Sequence, residues 1–118
     1  MKITKVINLT PHQINILVDG NILPVPPSGK VARVEMLEKE CPPIDIADQK
    51  VPVITRTPTK IKNLPEPKPN TIYLVSSMVL DNMHDHREDV FAPDTGPSAK
   101  RNEDGQIFAV TQLVCKGF

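Results

Sequence analysis

The densest group of side chains able to do chemistry runs through residues 83–89, Met-His-Asp-His-Arg-Glu-Asp. Two histidines one residue apart with carboxylates beside them are raw material for a metal site, because neutral imidazole and carboxylate suit zinc, manganese or iron. His84, His86 and Asp89 are the ligands of that reading, which makes the chain a small metal-dependent hydrolase or phosphodiesterase. The competing chemistry is anion recognition. Arg33, Arg87 and Arg101 carry planar guanidinium forks that pair bidentately with phosphate or carboxylate. Ser76 and Ser77 stand where a strand is expected to feed a helix, so their hydroxyls and the first N–H groups of that helix form a seat for an anion. Tyr73, just upstream, offers a flat face for stacking a base.

The metal reading has a pattern to match and departs from it. The HxH pair resembles the HxHxDH motif of metallo-β-lactamase-type hydrolases, but Glu88 and Asp89 occupy the positions where that motif needs Asp and His. The sequence holds no nucleophile elbow, Walker loop, GxGxxG, HExxH or paired-cysteine ligand set. No catalytic residue and no cofactor are therefore assigned. The favoured site is the ligand-binding set Arg33, Tyr73, Ser76, Ser77, Arg87 and Arg101.

Residues 71–89 also organise the chain. Ile72, Tyr73, Leu74 and Val75 are apolar on both faces, which predicts a central strand covered on each side. The serines then cap a helix over residues 78–83. Upstream, the alternation predicts strands at 3–9 and 14–18, interrupted at Thr10-Pro11-His12. A type I′ turn at Asp19-Gly20 leads into a strand at 22–25. Pro26-Pro27-Ser28-Gly29 reads as a second turn, before a strand at 31–37 in which Arg33 and Glu35 share one face as a solvated ion pair.

Charge and proline break up residues 38–50, which read as a loop with at most one helical turn. Short strands at 51–55 and 57–61 are expected to pair across Arg56, with Pro52 and Pro58 confined to a sheet edge. Residues 64–70 space prolines at every second position, an extended connector. Residues 85–102 read as a long irregular loop, of the kind that is functional or mobile in compact domains. Glu103-Asp104-Gly105 then turns the chain into a closing strand at 106–114.

The composition narrows the classes. The 118 residues make one domain, and 3% aromatic content leaves the core to Ile, Val, Leu and Met, so association into a homo-oligomer is a ready way to bury more surface. Fourteen basic and fourteen acidic residues cancel, which argues against general nucleic-acid or anionic-membrane binding. Cys41 and Cys115 form no ligand spacing and are expected to be free thiols in a reducing cytoplasm. The opening MKITKVINL is interrupted by Lys5 and Asn8, so it reads as neither signal peptide nor membrane span.

Four segments, VINLTPHQINIL, PPSGKVARVE, LPEPKPNTIYLVSSMV and REDVFAPDTGPSAKRNEDGQIFAV, together resemble a family of small, mostly uncharacterised phage, prophage and bacterial proteins. The resemblance covers nearly the whole chain, with INLTPH and PPSGxxARVE its most specific pieces. It implies a bacterial host cytoplasm, and either interference with host immunity or an accessory part in the virion or replication machinery. Together these observations predict an α+β, mainly β domain, an antiparallel sheet or partly closed barrel with one short helix. The expected function is non-enzymatic binding, and sequestration, of an anionic nucleotide-like ligand. A structural or protein-interaction module is the further alternative, with residues 85–102 ordering against a partner.

Overall fold

The computed structural model describes residues 2–116. Among them, ten strands and one helix follow in the order β1 (Lys5–Asn8), β2 (Ile14–Val18), β3 (Asn21–Val25), β4 (Arg33–Ile46), β5 (Gln49–Lys62), β6 (Thr71–Leu74), α1 (Ser77–Asp81), β7 (Val90–Pro93), β8 (Lys100–Arg101), β9 (Ile107–Ala109) and β10 (Leu113–Val114). Over the described residues the fold is α+β and mainly β, with one short helix and no closed barrel.

β6 sits inside a four-stranded sheet of order β1-β6-β7-β10. Its apolar side chains explain the position, since both faces must be covered. Ile72 and Leu74 face a cluster with Ile14, Val25, Ala99 and Val110. Tyr73 and Val75 face the opposite cluster with Leu9, Val79, Leu80 and Met83. Tyr73, Leu74 and Val75 have no exposed surface.

The sheet is mixed rather than antiparallel. β1 and β7 both run parallel to β6, with Ile7 and Val90 each paired to Tyr73, and only β10 lies antiparallel, on β7. Parallel neighbours require crossovers. α1 lies in the crossover from β6 to β7, and the excursion through β2 to β5 supplies the other. Ser76 caps α1 as expected, its Oγ accepting from Val79 N at 3.3 Å.

The hairpin of β2 and β3 turns at Asp19-Gly20, both at positive φ, as the type I′ signal requires. Other expectations need correction. Residues 85–102 are not one loop, because β7 and β8 lie within them. The closing strand at 106–114 is broken into β9 and β10, since Val110 bridges to Ile16 and turns the chain away.

The largest correction concerns residues 38–50. They are not a loop but the outer parts of β4 and β5, which form a two-stranded antiparallel ribbon with its turn at Ala47-Asp48. The two short strands expected at 51–55 and 57–61 are one strand, paired along its length with β4. Prolines misled the reading because they collect at one irregularity. Cys41 pairs with Val53 and Ile44 with Val51, so Pro42 and Pro43 stand against Pro52 in a two-against-one bulge where ladder donors are not needed.

The ribbon lies largely outside the body. The radius of gyration is 17.9 Å, against about 13.5 Å for a compact chain of this length. The accessible surface is 8489 Å², about 2,100 Å² above that of a compact monomer of this size.

Candidate functional site

The ribbon's two faces follow from strand alternation and the bulge. On one face, the registered pairs bring together Leu37, Cys41, Ile44, Ile46, Val51 and Val53, with Lys39 the charged residue among them. Leu37, Ile44 and Ile46 are 51–54% exposed. On the opposite face Arg56 Nε donates to Glu38 at 2.7 Å, and Lys50 Nζ to Asp45 at 3.3 Å. Two ion pairs thus lie on the charged side, which also carries Glu40 opposite Ile54, while the apolar side faces outward.

At the root of the ribbon the relation inverts. Val34 and Ile61 pair with each other and pack on the main core. Glu35 is gripped by Lys62 at 2.6 Å and Lys60 at 3.6 Å. The hydrogen bond from Lys62 holds its carboxyl below the ordinary carboxylate range. The ion pair expected between Arg33 and Glu35 is therefore made with the two lysines instead.

The predicted ligand residues scatter. Arg87 donates to both carboxylate oxygens of Asp89, at 2.8 and 2.9 Å, and to Pro65 O at 2.9 Å. The two side chains are 15% and 17% exposed. Their hydrogen bonding raises the arginine's pKa and depresses the aspartate's. Arg87 also lies 6.0 Å from the centroid of the Tyr73 ring. That ring is buried and its hydroxyl donates to Glu66 O at 3.1 Å, so it is core and offers no free face to a base.

Arg33 is exposed at the ribbon's root and lines a hollow of about 270 Å³ with Ser76, walled by Leu9, Ala32, Val34 and Val79. Arg101 donates to Gly105 O at 2.7 Å and Thr95 O at 3.4 Å, binding its own turn together. Ser76 and Ser77 line a second, largely apolar hollow of about 470 Å³ beside Phe108 and Ile14. Arg87 lines two others, of about 570 and 440 Å³. Arg33, Arg87 and Arg101 share none of the four.

The metal candidates are also divided. Among the described residues no three His, Cys, Asp or Glu side chains are grouped to hold a metal ion. His84 lines the 440 Å³ hollow and His86 the 570 Å³ one. Asp89 is engaged by Arg87, and His86 lies 3.4 Å from Glu88.

The distinctive sequence segments perform structural work instead. In INLTPH, Asn8 is 1% exposed and fully bonded: its Nδ2 donates to His12 O and Val25 O, and its Oδ1 accepts from Thr10 N and Oγ1. In LPEPKPN, carbonyls of Pro65 and Glu66 receive Arg87 and Tyr73. In APDTGPSA, Asp94 accepts from Gln112, Gly96 N and Ser98, and the Gln112 bond leads in lowering its pKa. The surface that sequence reasoning missed is the ribbon stripe. Its signal was a period-two apolar pattern that resumes after one inserted residue at Pro42-Pro43. The chain matches no protein-family model, no curated protein and no solved structure.

Proposed function

We propose that this chain is a non-enzymatic, phage-type protein-interaction module whose β4–β5 ribbon is its docking arm. One observation carries the reading: six apolar side chains line the outward face of a strand pair that adds little to the core. An isolated two-stranded ribbon is marginal in water. Ordering each backbone residue costs about 1–2 kcal/mol. A partner laid on the stripe offsets that cost by burying apolar area at about 25 cal/mol per Å². The phage setting rests on the sequence resemblance, and fits an accessory part in an assembly. The anion-binding reading has less support, because Arg87 and Arg101 spend their donors on acceptors within the chain and Arg33 lines a different hollow from Arg87.

The test is site-specific photocrosslinking in cells making the protein. A benzophenone side chain at Ile44 is expected to give protein adducts. The same group at Asp45, on the charged face, is expected to give few. Equal labelling from both positions, or none from Ile44, rejects the docking arm.

A further inference from the structure

We infer that the occupant of the ribbon's apolar face is a second copy of this chain, packed face to face about a two-fold axis near Cys41 and Val53. This rests on the docking-arm reading and goes further by naming the partner.

The area fits first. The chain exposes about 2,100 Å² more than a compact monomer of its size. A standard stable interface takes about 800 Å² from each partner and obligate homodimers take more. One standard self-association on the stripe would cover roughly two-fifths of that surplus, and it supplies the apolar burial that a core with so few aromatic residues lacks.

The stripe is also arranged to meet itself. Measured along the ribbon, Leu37 stands towards the root, Ile44 and Ile46 towards the tip, and the smaller Cys41 and Val53 between them. A two-fold axis at the Cys41–Val53 pair reverses that order in the second copy. Leu37 of each chain then covers Ile46 of the other, and the small residues meet at the middle. Such an isologous contact closes at two subunits. Lys39 sits one rung from the axis, and its long stem lets the ammonium reach past the ribbon's edge while its methylenes stay on the apolar surface.

Charge favours a copy over a charged stranger. The chain's formal net charge is zero, so two copies do not repel at long range. On the ribbon beyond its root, Glu38 and Asp45 are paired with Arg56 and Lys50, and Lys39, Glu40 and Asp48 nearly balance one another in sign, so the ribbon presents no run of like charge to attract a strongly acidic or basic partner.

The prolines decide how the copies meet. Pro42, Pro43, Pro52 and Pro58 lack N–H groups, so the ribbon's edges are interrupted as templates for an added strand. Association by edge pairing would also leave new edges and propagate. Face packing, with the two ribbons about 10 Å apart, does neither.

Sedimentation velocity on the purified full chain, from low to high micromolar, tests this directly. The expected result is a dimer that Ile44→Glu converts to monomer at the same concentration, while Ile54→Glu on the opposite face leaves it dimeric. Far-UV circular dichroism shows whether each variant still folds. A short bismaleimide should link two chains through Cys41, whose α-carbons would be about 10 Å apart across the packed ribbons. Cys41→Ser should abolish the link and Cys115→Ser should retain it. A wild-type protein that stays monomeric throughout the range overturns the inference. So does a dimer indifferent to Ile44→Glu and unlinked at Cys41. If the chain is monomeric yet Ile44 photocrosslinks to a different protein, the second copy is excluded and the docking arm stands.

Discussion

Thr10 donates twice to the Oδ1 of Asn8, from its backbone N–H at 2.9 Å and its hydroxyl at 2.6 Å, in a corner closed to water. The amide nitrogen of Asn8 spends both protons on carbonyls of His12 and Val25. One side chain thus fastens the end of β1 to the hairpin of β2 and β3. Asn8→Ala removes all four bonds and leaves buried groups unpaired, at about 1–3 kcal/mol for each one that water cannot reach. A net loss of about 2–4 kcal/mol is expected in urea unfolding. Asn8→Asp should be at least as damaging, because a carboxylate then faces two carbonyl oxygens.

Arg87 ties its own turn at Asp89 to the connector at Pro65 and lies by the Tyr73 ring of β6. Arg87→Lys keeps the charge and loses the fork, so it should recover little of the stability lost in Arg87→Ala. A loss of about 1–3 kcal/mol is expected for the alanine variant. Equal stability of the lysine variant and the native chain would show that charge alone suffices there.

Acid should reveal the same pair. The native pKa of Asp89 is depressed, chiefly by the hydrogen bonds from Arg87. Its contribution is therefore fully present above the unfolded aspartate pKa of about 3.9 and is lost as pH falls through the lower native value. Asp89→Asn should flatten the decline in stability below pH about 4 relative to the native chain. Chemical denaturation at a series of acidic pH values measures the difference in slope.

Ala47 turns the ribbon with φ at 48°, in the left-handed region that a Cβ disfavours. Ala47→Gly should stabilise the ribbon by about 0.5–1 kcal/mol, visible as slower amide exchange near the tip. Slower exchange confined to β6 and β7 would contradict it.

The sequence made the central strand legible because Ile72 to Val75 leave no polar face, and it made the first hairpin legible because Asp-Gly is a strong turn signal. The ribbon was hidden by two features of residues 38–50. Its turn is Ala-Asp, which carries no such signal, and its strand period slips by one at Pro42-Pro43. Alternation counted straight through that slip places Ile44 and Ile46 on the wrong face. The spread of the expected ligand residues was hidden for a different reason. Arginine in a sequence announces capacity for bidentate bonding without naming the acceptor, and the acceptors of Arg87 and Arg101 lie within the chain itself.

The parallel pairing of Lys5 with Thr71 joins two strands that the whole excursion through β2 to β5 separates. Those partners are far apart along the backbone, and closing so large a loop costs entropy before any contact repays it. The two hairpins between them need only neighbouring residues and zip within microseconds. Each gathers slack as it forms, and brings its two ends within one strand spacing. The β2–β3 hairpin and the β4–β5 ribbon together take up most of the chain between β1 and β6, so the parallel closure spans little free backbone once they are in place.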